Sequence, residues 1–213
     1  MIKYWIKILQ SDNILIKNVY NMLKIDANNN INYNKNNWAY QVYKILSEIG
    51  MTNIWLSQSN DVNFNAIKYR ILDMYKQGWY ASINNSRRLK AYCSFKHNVN
   101  LKIYLHTVKA NKYRVALTKF RVSSHDLAIE TGRYTNTELK DRICQNCQMN
   151  TIEDEYHFIL VCQKFRELRN IYLKPYYCHW PTLHKFENLM STNSIQQTNN
   201  LAKFIYHAFK LRS

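Results

Sequence analysis

At 213 residues, 46% of them hydrophobic, the chain is long enough for one substantial core or two small ones. Thirty Lys and Arg against fourteen Asp and Glu leave a net charge of +16, a surplus that a compact domain tolerates more readily with a polyanion on its surface. No run approaches the roughly 18 consecutive apolar residues of a membrane helix, and the opening MIKYWIKILQ is interrupted by Lys3 and Lys7 with no small-residue cleavage site behind it, so an intracellular protein without a membrane partner is expected.

With three Gly and two Pro in the whole sequence, and apolar residues recurring at helical spacing in most segments, the fold is predicted to be mainly α. Helices are expected over 2–10 and 13–26, then an Asn-rich loop over 28–37 whose side chains compete with the backbone for hydrogen bonds. Trp38, Val42, Ile45, Leu46 and Ile49 form one helical stripe, which Asn36 or Asn37 can cap and Gly50 can end in a left-handed conformation. A longer helix over 62–84 places Phe64, Ile67, Ile71, Met74 and Tyr75 on one face, with Gly78 able to loosen it. Helices near 87–97, 101–107 and 111–122 follow, then a brief strand at 127–131 and a helix at 152–173. A Pro-containing loop at 175–181 and a last helix carrying Leu201, Phe204, Ile205 and Ala208 close the chain. These elements group as an N-terminal helical segment (1–30), a helical bundle-like connector that is basic in its second half (31–110), a helix with a small Cys/His module (111–175), and a C-terminal loop and helix (176–213).

Five cysteines without a secretion signal do not suggest a disulfide framework, since reducing compartments keep thiols open and an odd count leaves one unpaired. Metal ligation is the better reading. Cys144 and Cys147 form a Cys-x-x-Cys turn, a spacing that lets two thiolates converge on one ion about 2.3 Å from each sulfur. His157 and Cys162 complete C-x2-C-x9-H-x4-C, the four ligands of a closed tetrahedral Zn2+ site whose role is structural because no coordination position stays open. Thr151 with Asp154 three residues on reads as a capping box that starts a helix just before His157. On an ideal helix residues five apart differ by about 140° in direction, so the turn before Cys162 must loosen for both ligands to meet one metal. Cys178 and His179 are competing late ligands, Cys93 reads as packing, and the plain alternative is a pair of buried thiols with a partly buried histidine on an amphipathic helix.

Between Met74 and His125 there is no Asp or Glu. Candidate nucleic-acid contacts in and just beyond that stretch are Arg87, Arg88, Lys90, Lys96, Lys102, Lys109, Lys112, Arg114, Lys119, Arg121 and Arg133. Trp79, Tyr80, Tyr92, Phe95, Tyr104 and Tyr113 are interleaved with them, and cations mixed with flat rings suit RNA or DNA, single-stranded or structured. Ser123, Ser124, His125 and Asp126 make a superficially catalytic string, but contiguous residues rarely face one another, and capping is their plainer job. No small-molecule substrate is expected.

The segments FRVSSHDLAIETGRY (120–134), RICQNC (142–147) and EDEYHFILVCQKFRELR (153–169) together resemble the C-terminal, post-polymerase region of non-LTR, LINE-type retrotransposon reverse transcriptases, which carries a CCHC zinc-binding module. KYWIKIL, NNWAYQVYKILSEIG and RLKAYCSFK are similar to the helical connector behind the polymerase of these elements. The resemblance implies the same four zinc ligands, a role in holding template RNA or target DNA, a reverse transcriptase polymerase domain as neighbour, and a nuclear or cytoplasmic ribonucleoprotein as setting. It departs from the family's enzymes, because the Tyr-x-Asp-Asp pair that would hold two metal ions for nucleotidyl transfer is missing from the sequence. Beyond Cys162 the carboxylates are Glu167 and Glu187, with no Pro-Asp dipeptide of a following nuclease. The retroviral zinc knuckle has only four residues between its second Cys and its His; nine here imply a hairpin or loop plus a helix. The expectation is a non-catalytic, zinc-stabilised nucleic-acid-binding fragment; the alternative is a helical protein-interaction module with a purely structural zinc site.

Overall fold

The computed structural model describes residues 1–29 and 37–212, which fall into two compact units, Met1–Trp79 and Tyr80–Ser213. The fold is mainly α, and among the described residues β structure is limited to a single antiparallel bridge between Ile143 and Ile152. Among the same residues no helix is long and apolar enough to cross a membrane.

The first unit contains α1 (Ile2–Gln10), α2 (Ile14–Asn29), α3 (Trp38–Glu48), α4 (Thr52–Ser57) and the start of α5 (Phe64–Asn84). Its core is built on Trp5, which stacks on Trp55 at 6.0 Å and donates its indole N–H to Tyr20 Oη at 2.8 Å. The Tyr20 hydroxyl in turn donates to Gln58, so the polar tips of both buried rings are satisfied. Asn37 caps α3, accepting from the Tyr40 amide at 3.2 Å while its own amide donates to the Leu23 carbonyl. The helix ends as expected at Gly50, whose φ of +73° lets its N–H reach the Ser47 carbonyl and the Met51 N–H reach the Leu46 carbonyl. Most of the Asn-rich stretch expected to be a loop lies outside the described residues, and α2 itself runs on through Asn29.

The predicted apolar stripe of α5 is buried at Ile67 and partly buried at Phe64; Ile71, Met74 and Tyr75 are exposed, and the helix continues through Gly78. Periodicity marks a face that could be covered, and packing decides which part of it is.

The second unit holds α6 (Lys90–Phe95), α7 (Tyr104–Thr107), α8 (Asn111–Arg121), α9 (Ala128–Tyr134), α10 (Arg166–Tyr172), α11 (Pro175–Cys178), α12 (Leu183–Ser191) and α13 (Ile195–Arg212). The last helix packs along α8 and touches α7 and α10, burying Leu201, Phe204, Ile205 and Ala208 on the face the sequence marks. Phe158 lies at the centre of this core, 4.7 Å from the Phe209 ring, 4.8 Å from Phe165 and 5.7 Å from Phe120.

Three expectations need correction here. The segment 127–131 is not a strand: α9 occupies it, because the Ala128 N–H finds a carboxylate acceptor in Glu153 at 2.8 Å and the Leu127 carbonyl takes the Glu130 and Thr131 amides. The single helix over 152–173 is broken into a π turn (His157–Val161), a 3-10 turn (Gln163–Phe165) and α10. The loop over 175–181 begins with one helical turn, α11, with Pro175 in its first position where a missing N–H costs nothing. Sequence reading also passed over α4 and α12, the latter started by Thr182 accepting from the Lys185 amide at 3.2 Å.

Candidate metal centre

The centre starts from a two-rung hairpin. The Cys144 amide donates to the Thr151 carbonyl and the Glu153 amide to the Arg142 carbonyl, each at 2.9 Å, which fixes Cys144 at the mouth of the Cys-x-x-Cys turn. Arg142 is held from the other side, its guanidinium donating to the carbonyls of Thr137 and Ile129. Its side chain occupies the space beside Gly132, where a Cβ would come within 2.6 Å of it, so glycine at that position is a packing requirement.

Beyond the hairpin, Asp154 accepts from the His157 amide at 2.7 Å and so caps the turn that carries the imidazole. The turn is of π type, and its defining i→i+5 bond runs from the Cys162 amide to the His157 carbonyl at 2.7 Å. This is the loosening that the His-x4-Cys spacing demands, since an i→i+5 turn returns the chain to the same face after five residues. Arg169, buried in α10, donates to the Cys162 carbonyl at 2.7 Å and holds the exit of the turn.

These elements bring Cys144, Cys147, His157 and Cys162 together, with their ligand atoms all within 4.8 Å of one another. Cys144 Sγ lies 3.9 Å from Cys162 Sγ, and Cys147 Sγ lies 3.4 Å from His157 Nε2. Sulfurs bound tetrahedrally at about 2.3 Å from one ion are separated by about 3.8 Å, so the cluster has the dimensions of a single coordination shell and can hold a metal ion. Cys144, His157 and Cys162 are buried and Cys147 is half-buried. Cys178 and His179 stand outside the group, and Cys93 packs with its thiol donating to the Ile83 carbonyl.

The Thr151 and Asp154 pair serves a different purpose from the expected reciprocal box. Asp154 alone caps the turn, while Thr151 Oγ1 lies 3.1 Å from His157 Nδ1. A proton on Nδ1, donated to that hydroxyl, leaves the Nε2 lone pair facing Cys147, which is how an outer partner selects the ligand nitrogen. Burial pushes the Cys144 thiol up to about 12, pushes the Cys162 thiol up, and pushes His157 down. Lowering favours the neutral imidazole, the form that can act as a ligand, whereas both buried thiols would have to give up their protons to solvent on binding a cation.

The residue sequence reading missed is Glu153. It is 2% exposed and accepts from Arg212 Nε and Nη2 at 2.9 Å each, from the Ala128 amide at 2.8 Å and from Asn146 at 3.3 Å. Burial pushes its carboxyl up, but the Arg212 and Ala128 hydrogen bonds outweigh that and hold it below its ordinary value. One ionised side chain thus joins the hairpin, the start of α9 and the end of α13. Its only sequence signal is an acid directly before the capping Asp154 in a chain poor in acids.

The catalytic-looking string resolves into end-capping and a buried hydrogen-bond cluster. The Ser123 and Ser124 amides close α8 by donating to the Phe120 and Lys119 carbonyls, with Ser123 in the left-handed region at φ +52°. Ser123 Oγ and His125 Nε2 lie 3.0 and 3.2 Å from the same oxygen of buried Glu155. They share an acceptor and do not form a nucleophile–base pair.

The candidate cations separate by burial. Arg87, Arg88, Lys90, Lys109, Lys112 and Lys119 are exposed, and Lys102, Arg114 and Arg133 are partly so. Arg88 is committed to the Ser123 carbonyl, Arg114 to the Val108 carbonyl and Asn111, and Arg133 to Glu130 at 3.2 Å. Lys96 and Arg121 are buried, donating to the carbonyls of Asn100 and Met190, and so leave the set of surface contacts. Their long stems fill apolar space that the charge pattern alone does not reveal. Of the interleaved rings, Phe95 and Tyr104 belong to the core, while Tyr113 is half-buried against Tyr206 at 5.2 Å.

No protein-family model matches the chain, and neither the curated proteins nor the solved structures provide a match.

Proposed function

We propose that the chain is a zinc-stabilised, non-catalytic nucleic-acid-binding module of the kind that follows the polymerase in LINE-type reverse transcriptases, where it holds template RNA or target DNA. The observation that carries this reading is the four-ligand cluster: three sulfurs and one imidazole nitrogen at tetrahedral spacing suit Zn2+, and burial of the site suits a structural ion. The same residues lie inside the segments that resemble that family.

Support for a polyanionic partner comes from α8 and α13. Lys109 precedes α8 and Lys112 and Lys119 lie on it, all three exposed, and Lys112 and exposed Lys210 both sit over the Tyr206 ring, at 5.5 and 5.0 Å. Cations beside half-exposed rings suit phosphates together with unstacked bases. The test is metal analysis of the purified protein with a binding titration on single-stranded RNA and DNA. One zinc per chain and an affinity that falls steeply as salt rises are expected; an affinity unchanged between low and high salt rejects the nucleic-acid assignment.

A second reading has one observation behind it. On α2, Ile14, Leu15, Val19, Met22 and Ile25 are all exposed, an apolar surface that suits a protein partner. Under this reading the zinc site only secures the fold, and the protein binds no nucleic acid at any salt concentration.

A further inference from the structure

The last helix has a side that neither the core nor the metal centre uses. Gln196, Asn200, Lys203, His207 and Lys210 follow one another at i, i+4, i+7, i+11 and i+14, so they share one face of α13, a helix that carries no Asp or Glu. All five are exposed or half-buried. Rings continue this face onto α10: the His207 imidazole lies 5.3 Å from Tyr206 and stacks on Tyr172 at 5.7 Å, with the two planes only 2° apart. Lys210 sits over the Tyr206 ring, so a series of cation and rings leads along α13 to Tyr172.

At Tyr172 the series meets a cleft between α10, α11, α12 and α13 with a volume of about 250 Å³. Tyr172, Leu173 and Tyr177 line it with rings and apolar surface, and α13 lines it with the carboxamides of Gln196, Gln197 and Asn200. Gln197 Oε1 accepts from the hydroxyls of Tyr177 and Thr192 at 3.1 Å each, which leaves its NH2 as the idle edge. The side chains of Gln196 and Asn200 have no hydrogen bond among the described residues. None of the described residues lining the cleft is acidic, and Lys174 is one of them. A carboxamide donates and accepts side by side, as the edge of a nucleobase does, and a tyrosine face gives a base a platform for stacking. The volume falls below the roughly 300–1,000 Å³ of ordinary small-molecule sites, so the cleft suits one planar ring system and not a whole nucleotide.

We propose that this cleft receives one unpaired base of a single-stranded nucleic acid, stacked on the face of Tyr172 that His207 leaves free and hydrogen-bonded by Gln196 and Asn200. The adjoining phosphates run along α13 past Lys203 to Lys210. This inference rests on the nucleic-acid reading and adds to it a contact with a base, which the exposed lysines of α8 do not supply.

The test is a binding titration of the full chain, purified with zinc, against a single strand of about ten nucleotides and a strand of equal length that keeps the sugar–phosphate chain but lacks every base. The base-bearing strand is expected to bind at least about tenfold tighter. Replacing Gln196 and Asn200 together by Ala should weaken that strand several-fold while leaving its salt slope and the binding of the abasic strand unchanged. Tyr172→Leu should weaken it about tenfold, and Lys203→Ala should lower the salt slope for both strands by about 1. Equal affinity for the two strands overturns the cleft and leaves the nucleic-acid reading standing, as does a Gln196 and Asn200 double variant that binds both strands like the parent. Binding of neither strand removes both. The carboxamide variant takes away side chains without partners, and so decides the matter even where Tyr172→Leu does not fold.

Discussion

The first unit and the metal hairpin of the second hold themselves together by opposite means. Around Trp5, Trp55, Ala39, Val42, Leu46 and Ile67 the first unit buries apolar surface, and its polar atoms only complete the packing. Between Arg142 and Cys162 a two-rung hairpin, one π turn and four ligand atoms gather around a point, and a buried carboxylate ties them to α13. Apolar cores respond to lost volume, whereas ligand clusters respond to lost metal and to protons. The two regions should therefore fail under different insults.

The largest effect expected is from Cys162→Ala, or from stripping the metal with a chelator. Because binding energy at a structural site is folding energy, on the order of 10 kcal/mol for small zinc modules, hydrogen exchange should show protection lost across 142–173 while amides around Trp5 and Trp55 keep theirs. Equal loss in both units would end the contrast. Next comes Trp55→Ala, expected to cost about 3–5 kcal/mol in denaturant unfolding of the first unit without changing how much metal the second unit takes up.

Glu153→Gln should cost about 3 kcal/mol, since it leaves Arg212 without its buried partner. It also tests pH dependence with a definite sign. The folded carboxyls of Glu153 and Glu155 lie below their ordinary values: burial opposes this, but Arg212 and the Ala128 amide at Glu153, and His125 at Glu155, prevail. Their contribution is thus full above the unfolded carboxyl pKa of about 4.3 and is lost as pH falls through the lower folded values. The carboxylate contribution to acid unfolding of the second unit should be lost below about pH 4.3, and that part of the transition should be shallower in Glu153→Gln. The smallest effects belong to Lys112→Ala and Lys119→Ala, expected to change stability by less than about 0.5 kcal/mol and to reduce the salt slope of nucleic-acid binding by about 1 each.

Sequence reading succeeded where chemistry imposes spacing. The gathering of Cys144, Cys147, His157 and Cys162 was legible because an ion at fixed bond lengths would dictate which residue types recur and how far apart, and the need for a loosened turn before Cys162 followed from helix geometry alone. Asn37 and Gly50 were legible as helix ends for the same kind of local reason. Charge carries no such rule, so Lys96 and Arg121 look identical to Lys112 and Lys119 in the sequence although two of them are buried.

What the sequence determined by itself is a mainly helical chain with three cysteines and one histidine at C-x2-C-x9-H-x4-C spacing, because helical periodicity and the spacing that one ion would require are local constraints. The tertiary structure alone decided that Glu153 meets Arg212, 59 residues away, that Ser123 and His125 share Glu155, and that Arg121 lies in the core. Those outcomes depend on which distant segments close around a buried charge. No pattern of neighbouring residues encodes them.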